Sequence, residues 1–179
     1  MGNGLKITAL VAKYNEVKMI LSKDVHGIDK PYVFTGELKK QTKDAIRIIN
    51  VILSDKEVGD DMKKKVIDLM LWNISGNGEG AHGQYLIRFR STQSIKNKDA
   101  QIRHDHVYQR KYLRELILQE GVLTNETFEK IIGCVVTIEE HEKLHKVDKN
   151  LVGWDRYIVA NIEVKDMENN LIYKFPTAN

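Results

Sequence analysis

Five of the six histidines in this chain lie between positions 82 and 145, and four of them form two close pairs. The first pair flanks an aspartate in the sequence His104-Asp105-His106, and the second pair, His141 and His145, is four residues apart. Imidazole and carboxylate groups bind divalent cations, and an imidazole outside the metal shell can accept a proton from water. These two segments are therefore the first candidates for metal-assisted hydrolysis.

The element around the first pair decides which way its side chains point. The segment QIRHDHVY, residues 101–108, predicts a strand. On a strand, residues two apart share a face, so His104 and His106 lie on one side and Asp105 lies on the other, unless the strand ends or bulges there.

The second pair is predicted to lie on a helix. Thr137 and Glu140 have the spacing of a capping box, which opens a helix that carries His141 and His145 one turn apart on a shared face. If the strand end meets the start of this helix, two imidazoles and a carboxylate converge on one cation and leave a third imidazole free. That imidazole would serve as the general base.

Residues 101–147 resemble the HNH (His-Me finger) nucleases. The resemblance rests on a strand, a second strand over IIGCVV and a Thr-capped helix with HEKLH, in this order. The resemblance implies a ββα-metal core and metal-dependent hydrolysis of phosphodiester bonds in nucleic acid. By the same resemblance, Asp105 and His141 would be metal ligands, His106 the general base, and His145 would assist at the metal or the phosphate. The implied cofactor is a divalent metal, namely Mg²⁺, Mn²⁺, Ni²⁺ or Zn²⁺.

Positive charge is concentrated in the same part of the chain. Residues 88–114 contain eight basic and two acidic side chains, whereas the whole chain has a formal net charge of +3. Basic surfaces attract polyanions and contact phosphates, so this stretch is a candidate for binding nucleic acid. The eight residues are Arg88, Arg90, Lys96, Lys98, Arg103, Arg110, Lys111 and Arg114.

Two other functions use the same residues. A non-catalytic module could bind nucleic acid or protein through the basic stretch, with the histidines on ordinary solvated surfaces. The run from His141 to His145 also matches H-E-x-x-H, in which two histidines bind zinc and Glu142 is the base of a metalloprotease. No clear third zinc ligand follows it in the sequence.

The organisation predicted for the 179 residues is α+β, with a helical segment over residues 1–75 and a mixed segment of short strands and helices over 76–179. The two segments could form one compact domain. Apolar spacing predicts helices over Leu5–Leu21, over about Leu38–Leu53 and over Asp60–Trp72. The glycine-rich sequence at residues 75–83 is the candidate boundary.

The composition of the chain restricts the cellular location and the binding partners that we expect for the protein. No stretch approaches the roughly 18 apolar residues of a membrane-spanning helix, which predicts a cytoplasmic protein without a membrane partner. The single cysteine, Cys134, excludes an intrachain disulfide and any zinc site built from cysteine pairs. Cys134 lies in an apolar run and is predicted to be a buried small hydrophobe. Nucleic acid is the expected partner, and a homo-oligomer is compatible with the sequence.

Overall fold

The computed structural model describes residues 32, 34–76, 87–97 and 99–173 of the chain. The predicted helix over residues 5–21 and most of the glycine-rich segment lie outside these residues, as do His82 and Lys98. Within the described ranges, none of the helices has the length and apolar character needed to cross a membrane.

Two long helices, α1 (Gly36–Ser54) and α2 (Asp60–Gly76), confirm two of the predicted helices and pack against each other. The hydroxyl of Thr35 accepts a hydrogen bond from the backbone N–H of Leu38 at 3.2 Å and so caps the start of α1. Asp60 and Asp61 lie in the first turn of α2, where the helix dipole favours negative charge.

A five-stranded mixed sheet forms the second part of the fold. Its spatial order is β2-β3-β1-β4-β5, so β2 and β5 are the two edge strands. The central pair, β1 and β3, is parallel, and the other neighbours are antiparallel. The strands are β1 (Phe89–Ser91), β2 (Ile102–His106), β3 (Gly133–Thr137), β4 (Val164–Asp166) and β5 (Leu171–Tyr173).

Within the described residues five shorter helices connect the strands, and the fold is α+β as predicted. Two of them are inserted between β2 and β3, and a third follows β3 directly through the predicted capping box of Thr137 and Glu140. The helices are α3 (Thr92–Lys96), α4 (Arg110–Glu120), α5 (Asn125–Glu129), α6 (Ile138–Lys146) and α7 (Asp155–Val159).

Two apolar clusters position the elements around β2. In the first, Leu113 and Ile117 of α4 pack with buried residues of α1 and α2, such as Ile49 and Leu71. The second lies between the sheet and helices α6 and α7, and Cys134 is buried within it as predicted. Helices α2 and α4 therefore stand on one side of β2, and α6 and α7 stand on the other.

Candidate functional site at the edge strand

Strand β2 directs its functional side chains to opposite faces of the sheet. It pairs with β3 in regular antiparallel register up to the pair His106 and Gly133, so no bulge re-aims the last residues. His104 and His106 consequently share one face, and Asp105 points to the other.

On the first face, two imidazoles and an indole form a stack. The rings of His104 and His106 have centroids 4.8 Å apart and planes inclined by 13°. The Trp72 ring lies 4.7 Å from the ring of His104 and 5.2 Å from that of His106. Because Trp72 belongs to α2, the stack fills the space between β2 and that helix.

The hydroxyl of Ser75 assigns the tautomer of His106. Ser75 Oγ donates its proton to the carbonyl oxygen of Leu71 at 2.8 Å, and the same Oγ lies 2.8 Å from His106 Nε2. A hydroxyl has one proton, so in this arrangement Nε2–H is the donor and Ser75 Oγ the acceptor. The lone pair of the neutral ring then lies on Nδ1.

Burial keeps both imidazoles of the stack uncharged. It lowers the pKa of His104 from 6.5 to about 3, with a smaller contribution from the positive charge of Arg110. Burial also lowers the pKa of His106 to about 2, and His104 and Arg110 add to the effect. At neutral pH His106 is therefore in the form that can accept a proton.

We expect the free energy of unfolding to fall as the pH decreases below about 6.5. In that range the unfolded chain takes up protons at His104 and His106, whereas the folded chain binds them only near its own lower pKa values. Each ring adds a slope of at most about 1.4 kcal/mol per pH unit. Urea unfolding at several pH values in EDTA measures the slope, and His104→Gln should reduce it. An unchanged slope in this variant would contradict the assignment.

On the opposite face, two side chains of the C-terminal part hold Asp105. The hydroxyl of Tyr157 donates to Asp105 Oδ2 at 2.8 Å, and Arg156 Nη1 lies 3.3 Å from the same oxygen. Arg156 Nη1 also lies 3.1 Å and 3.2 Å from the carbonyl oxygens of His106 and Val107. One buried guanidinium thus fixes the carboxylate and the end of the strand together.

The second oxygen of Asp105 faces helix α6. Asp105 Oδ1 lies 3.8 Å from His141 Nε2, and the rings of His141 and His145 meet edge to face with centroids 4.4 Å apart. Burial lowers the pKa of His141, although the charge of Asp105 partly opposes this. The structure therefore brings Asp105, His141 and His145 together and leaves His106 on the other face of β2.

A carboxylate and an imidazole at this separation suit a divalent cation. Two atoms that each lie about 2.1 Å from an ion can be at most about 4.2 Å apart, and Asp105 Oδ1 and His141 Nε2 fall within that limit. Among the residues that the structure describes, no group of three or more His, Cys, Asp or Glu side chains is placed to hold a metal ion. The fit therefore rests on two donors, with His145 beside them.

A groove of about 830 Å³ opens along the edge of β2. Helix α4 lines one side of it, and α6 with the segment that follows lines the other. Because β2 is an edge strand, both of its faces reach this groove, and His106 and Asp105 are both among the lining residues. The groove is thus in contact with both faces of β2, the face that carries His106 and the face that carries Asp105.

The eight basic residues predicted to bind nucleic acid do not form one surface. Arg110 and Lys111 line the groove, and Arg103 is exposed on the strand that carries the site. Lys96 lines a separate polar pocket beside α3 and the start of α6. Lys98 lies outside the described residues.

The remaining three basic residues are engaged within the fold. Arg88 pairs with Asp166 at 2.6 Å, and Arg114 pairs with Asp68 at 2.7 Å. Arg90 has no exposed surface, so the prediction that it binds nucleic acid is wrong. The reason is the strand order, because β1 lies between β3 and β4 in the interior of the sheet.

Three residues that hold the site, Ser75, Arg156 and Tyr157, were not among the predicted site residues. Tyr157, three residues after Trp154, is fully buried, and its hydroxyl orients Asp105. Arg156 beside these aromatic residues was the available signal, since a buried arginine requires a carboxylate or carbonyl partner. Nothing in the sequence identifies Asp105 as that partner.

The arrangement at β2 combines a carboxylate, paired imidazoles and a helix with exposed cations. Comparisons of the chain with protein-family models, with curated proteins and with solved structures find no match.

Proposed function

We propose that this protein hydrolyses phosphodiester bonds of nucleic acid with the help of a divalent metal ion. One observation carries the proposal: Asp105 Oδ1 and His141 Nε2 lie 3.8 Å apart at the groove, with the ring of His145 beside them. The proposal also draws on the chain order of β2, β3 and α6, on which the resemblance to the HNH nucleases rests. Arg110 and Lys111 supply cations for the phosphate backbone.

In this proposal Asp105 and His141 would hold the ion, and His145 would assist at the metal or the phosphate. A bound Mg²⁺, Mn²⁺, Ni²⁺ or Zn²⁺ ion would polarise the scissile phosphate and stabilise charge on the leaving oxygen. Tyr157 and Arg156 occupy Oδ2 of Asp105, which keeps Oδ1 directed toward His141. These two residues therefore act as positioning residues.

His106 is the proposed general base. Its Nε2–H is bonded to Ser75, so Nδ1 is the atom that would accept the proton of the attacking water. Burial lowers the pKa of the ring to about 2, so it is unprotonated at neutral pH but weakly basic, and the negative charge of a bound phosphate would have to raise this pKa for the ring to hold a proton. Because the groove runs along the edge of β2, a phosphate bound there can face both this ring and Asp105.

A second candidate function is binding of nucleic acid or protein without cleavage. It is favoured by the packing of His106 against Trp72 and Ser75, on the opposite face from Asp105. It is also favoured by Arg156, which already neutralises Asp105. A binding module requires only the basic groove and no metal.

The test is incubation of supercoiled plasmid and of single-stranded circular DNA with the protein in EDTA or in each of the four metal ions. We expect cleavage that requires metal. His106→Ala should slow it by about 10²- to 10⁴-fold, since a positioned base contributes that much. His141→Ala should cause a loss of at least similar size, because it removes one of the two metal-binding donors.

The matched control is Glu139→Ala, an exposed residue of α6 that lines a separate pocket. It should cleave at the wild-type rate. If no metal supports cleavage but the protein still retards DNA in EDTA, the binding function replaces the enzymatic one. Undiminished cleavage by His106→Ala would remove this residue as the base. Zinc-dependent digestion of a protein substrate would instead favour the metalloprotease.

A further inference from the structure

The α4 side of the groove presents two flat surfaces that can stack on nucleobases. The ring of Tyr112 is 37% exposed and stacks on that of Tyr108, with centroids 6.2 Å apart. The exposed guanidinium of Arg110 lies over the ring of Trp72, 5.5 Å from its centroid. Aromatic rings and guanidinium planes stack on unpaired bases. In a duplex each base face is covered by its neighbours, so only an unstacked base can use these surfaces.

Cations stand on both sides of the same groove. Lys111 projects from α4, and Lys149 belongs to the segment after α6; both line the groove and both are exposed. Neither lysine has an ion-pair partner among the described residues. Glu115, the exposed acidic residue on the α4 side, is already paired with Arg114 at 3.2 Å. Free cations beside stacking surfaces are typical of channels that hold single strands.

The size of the groove agrees with this type of ligand. Its volume of about 830 Å³ is in the range of sites that enclose small molecules. A groove of this size can receive the bases and sugars of an extended strand one after another. It lies between α4 on one side and α6 with the segment that follows on the other.

We propose that the groove binds single-stranded nucleic acid, with an unpaired base stacked on Tyr112 and the phosphate backbone between Lys111 and Lys149. The inference rests on the proposed function in one respect, because the strand bound here would be the one whose phosphodiester bond reaches Asp105 and His141. Binding itself requires neither the metal nor His106.

The test is fluorescence anisotropy in EDTA with labelled oligothymidylate, oligouridylate and a DNA duplex of equal length. We expect both single strands to bind at least about tenfold more tightly than the duplex.

Tyr112→Ala should weaken single-strand binding by about 5- to 150-fold, the loss of one stacked base. Tyr112→Phe keeps the ring and should bind like the wild type. Lys111→Ala should reduce the slope of log K against log salt by about 0.7.

The matched control is Tyr173→Ala, because Tyr173 is 41% exposed but lies on β5, away from the groove. Its binding should be unchanged. Equal affinity for duplex and single strand, or full binding by Tyr112→Ala, would overturn the inference. Because EDTA prevents metal-dependent cleavage, these outcomes are separate from failure of the proposed function. Binding without cleavage would leave the single-strand site intact, and cleavage of duplex alone would exclude it.

Discussion

Asp105→Ala is expected to lower the free energy of unfolding by about 3–5 kcal/mol, because it leaves a buried cation without its carboxylate. The side chain of Arg156 is 6% exposed and that of Asp105 is 9% exposed, so water cannot replace the lost partner. The hydroxyl of Tyr157 loses its acceptor in the same variant. Urea unfolding at neutral pH measures the change.

The pair of Asp68 and Arg114 provides the matched control. Arg114 Nη1 lies 2.7 Å from Asp68 Oδ2, which are the same two atom types as in the pair of Arg156 and Asp105. The side chain of Asp68, however, is 30% exposed and that of Arg114 is 20% exposed. Asp68→Ala should therefore cost at most about 1 kcal/mol. Asp105→Asn should fall between the two, because the amide oxygen still accepts from Tyr157 while the charge is lost. Equal losses for Asp105→Ala and Asp68→Ala would contradict the role given to Arg156.

Gly133→Ala is expected to destabilise the protein by about 3 kcal/mol or more, which is the upper range for overpacking. A Cβ atom at Gly133 would meet the carbonyl oxygen of Ser75 and would lie 2.5 Å from His104 Nε2. The carbonyl belongs to helix α2 and cannot rotate away, so the helix and strand β3 would have to separate. Thermal or urea unfolding measures the loss.

A substitution at Gly76 separates the clash with the ring of His104 from the clash with the carbonyl oxygen of Ser75. The three atoms nearest to a Cβ atom there all belong to the ring of His104. A double-mutant cycle should therefore show that His104→Ala relieves Gly76→Ala largely but relieves Gly133→Ala only in part. Gly36→Ala, which meets no atom within 4 Å, should change stability by at most about 1 kcal/mol. Complete relief of Gly133→Ala would show that Ser75 imposes no constraint.

Local patterns in the sequence predicted most elements of the fold. Helices α1 and α2 follow from apolar spacing, and α6 follows from the capping box of Thr137 and Glu140. These features depend on residues within one or two helical turns of each other. The burial of Arg90 was not predicted, because alternation identifies a strand but does not reveal whether it lies at the edge or in the middle of a sheet.

The sequence predicted part of the candidate site, as it predicted part of the fold. The pleat of β2 separates Asp105 from His106, and this follows from the alternation of side chains along any regular strand. The approach of Asp105 to His141 depends on how α6 packs on the sheet. The bonds from Arg156 and Tyr157 depend on α7, and no periodicity relates α7 to β2.

The distance along the chain between Asp105 and Arg156 also bears on synthesis of the protein. These two residues are 51 positions apart, and among the described strands β2 pairs with β3, which is made after it. A nascent chain therefore carries Asp105 out of the ribosome well before Arg156 and Tyr157, which fix its carboxylate. For a protein with the proposed function, a chain stalled before Arg156 would lack the side chains that orient Asp105, and competence for cleavage would arise only after helix α7 has been made.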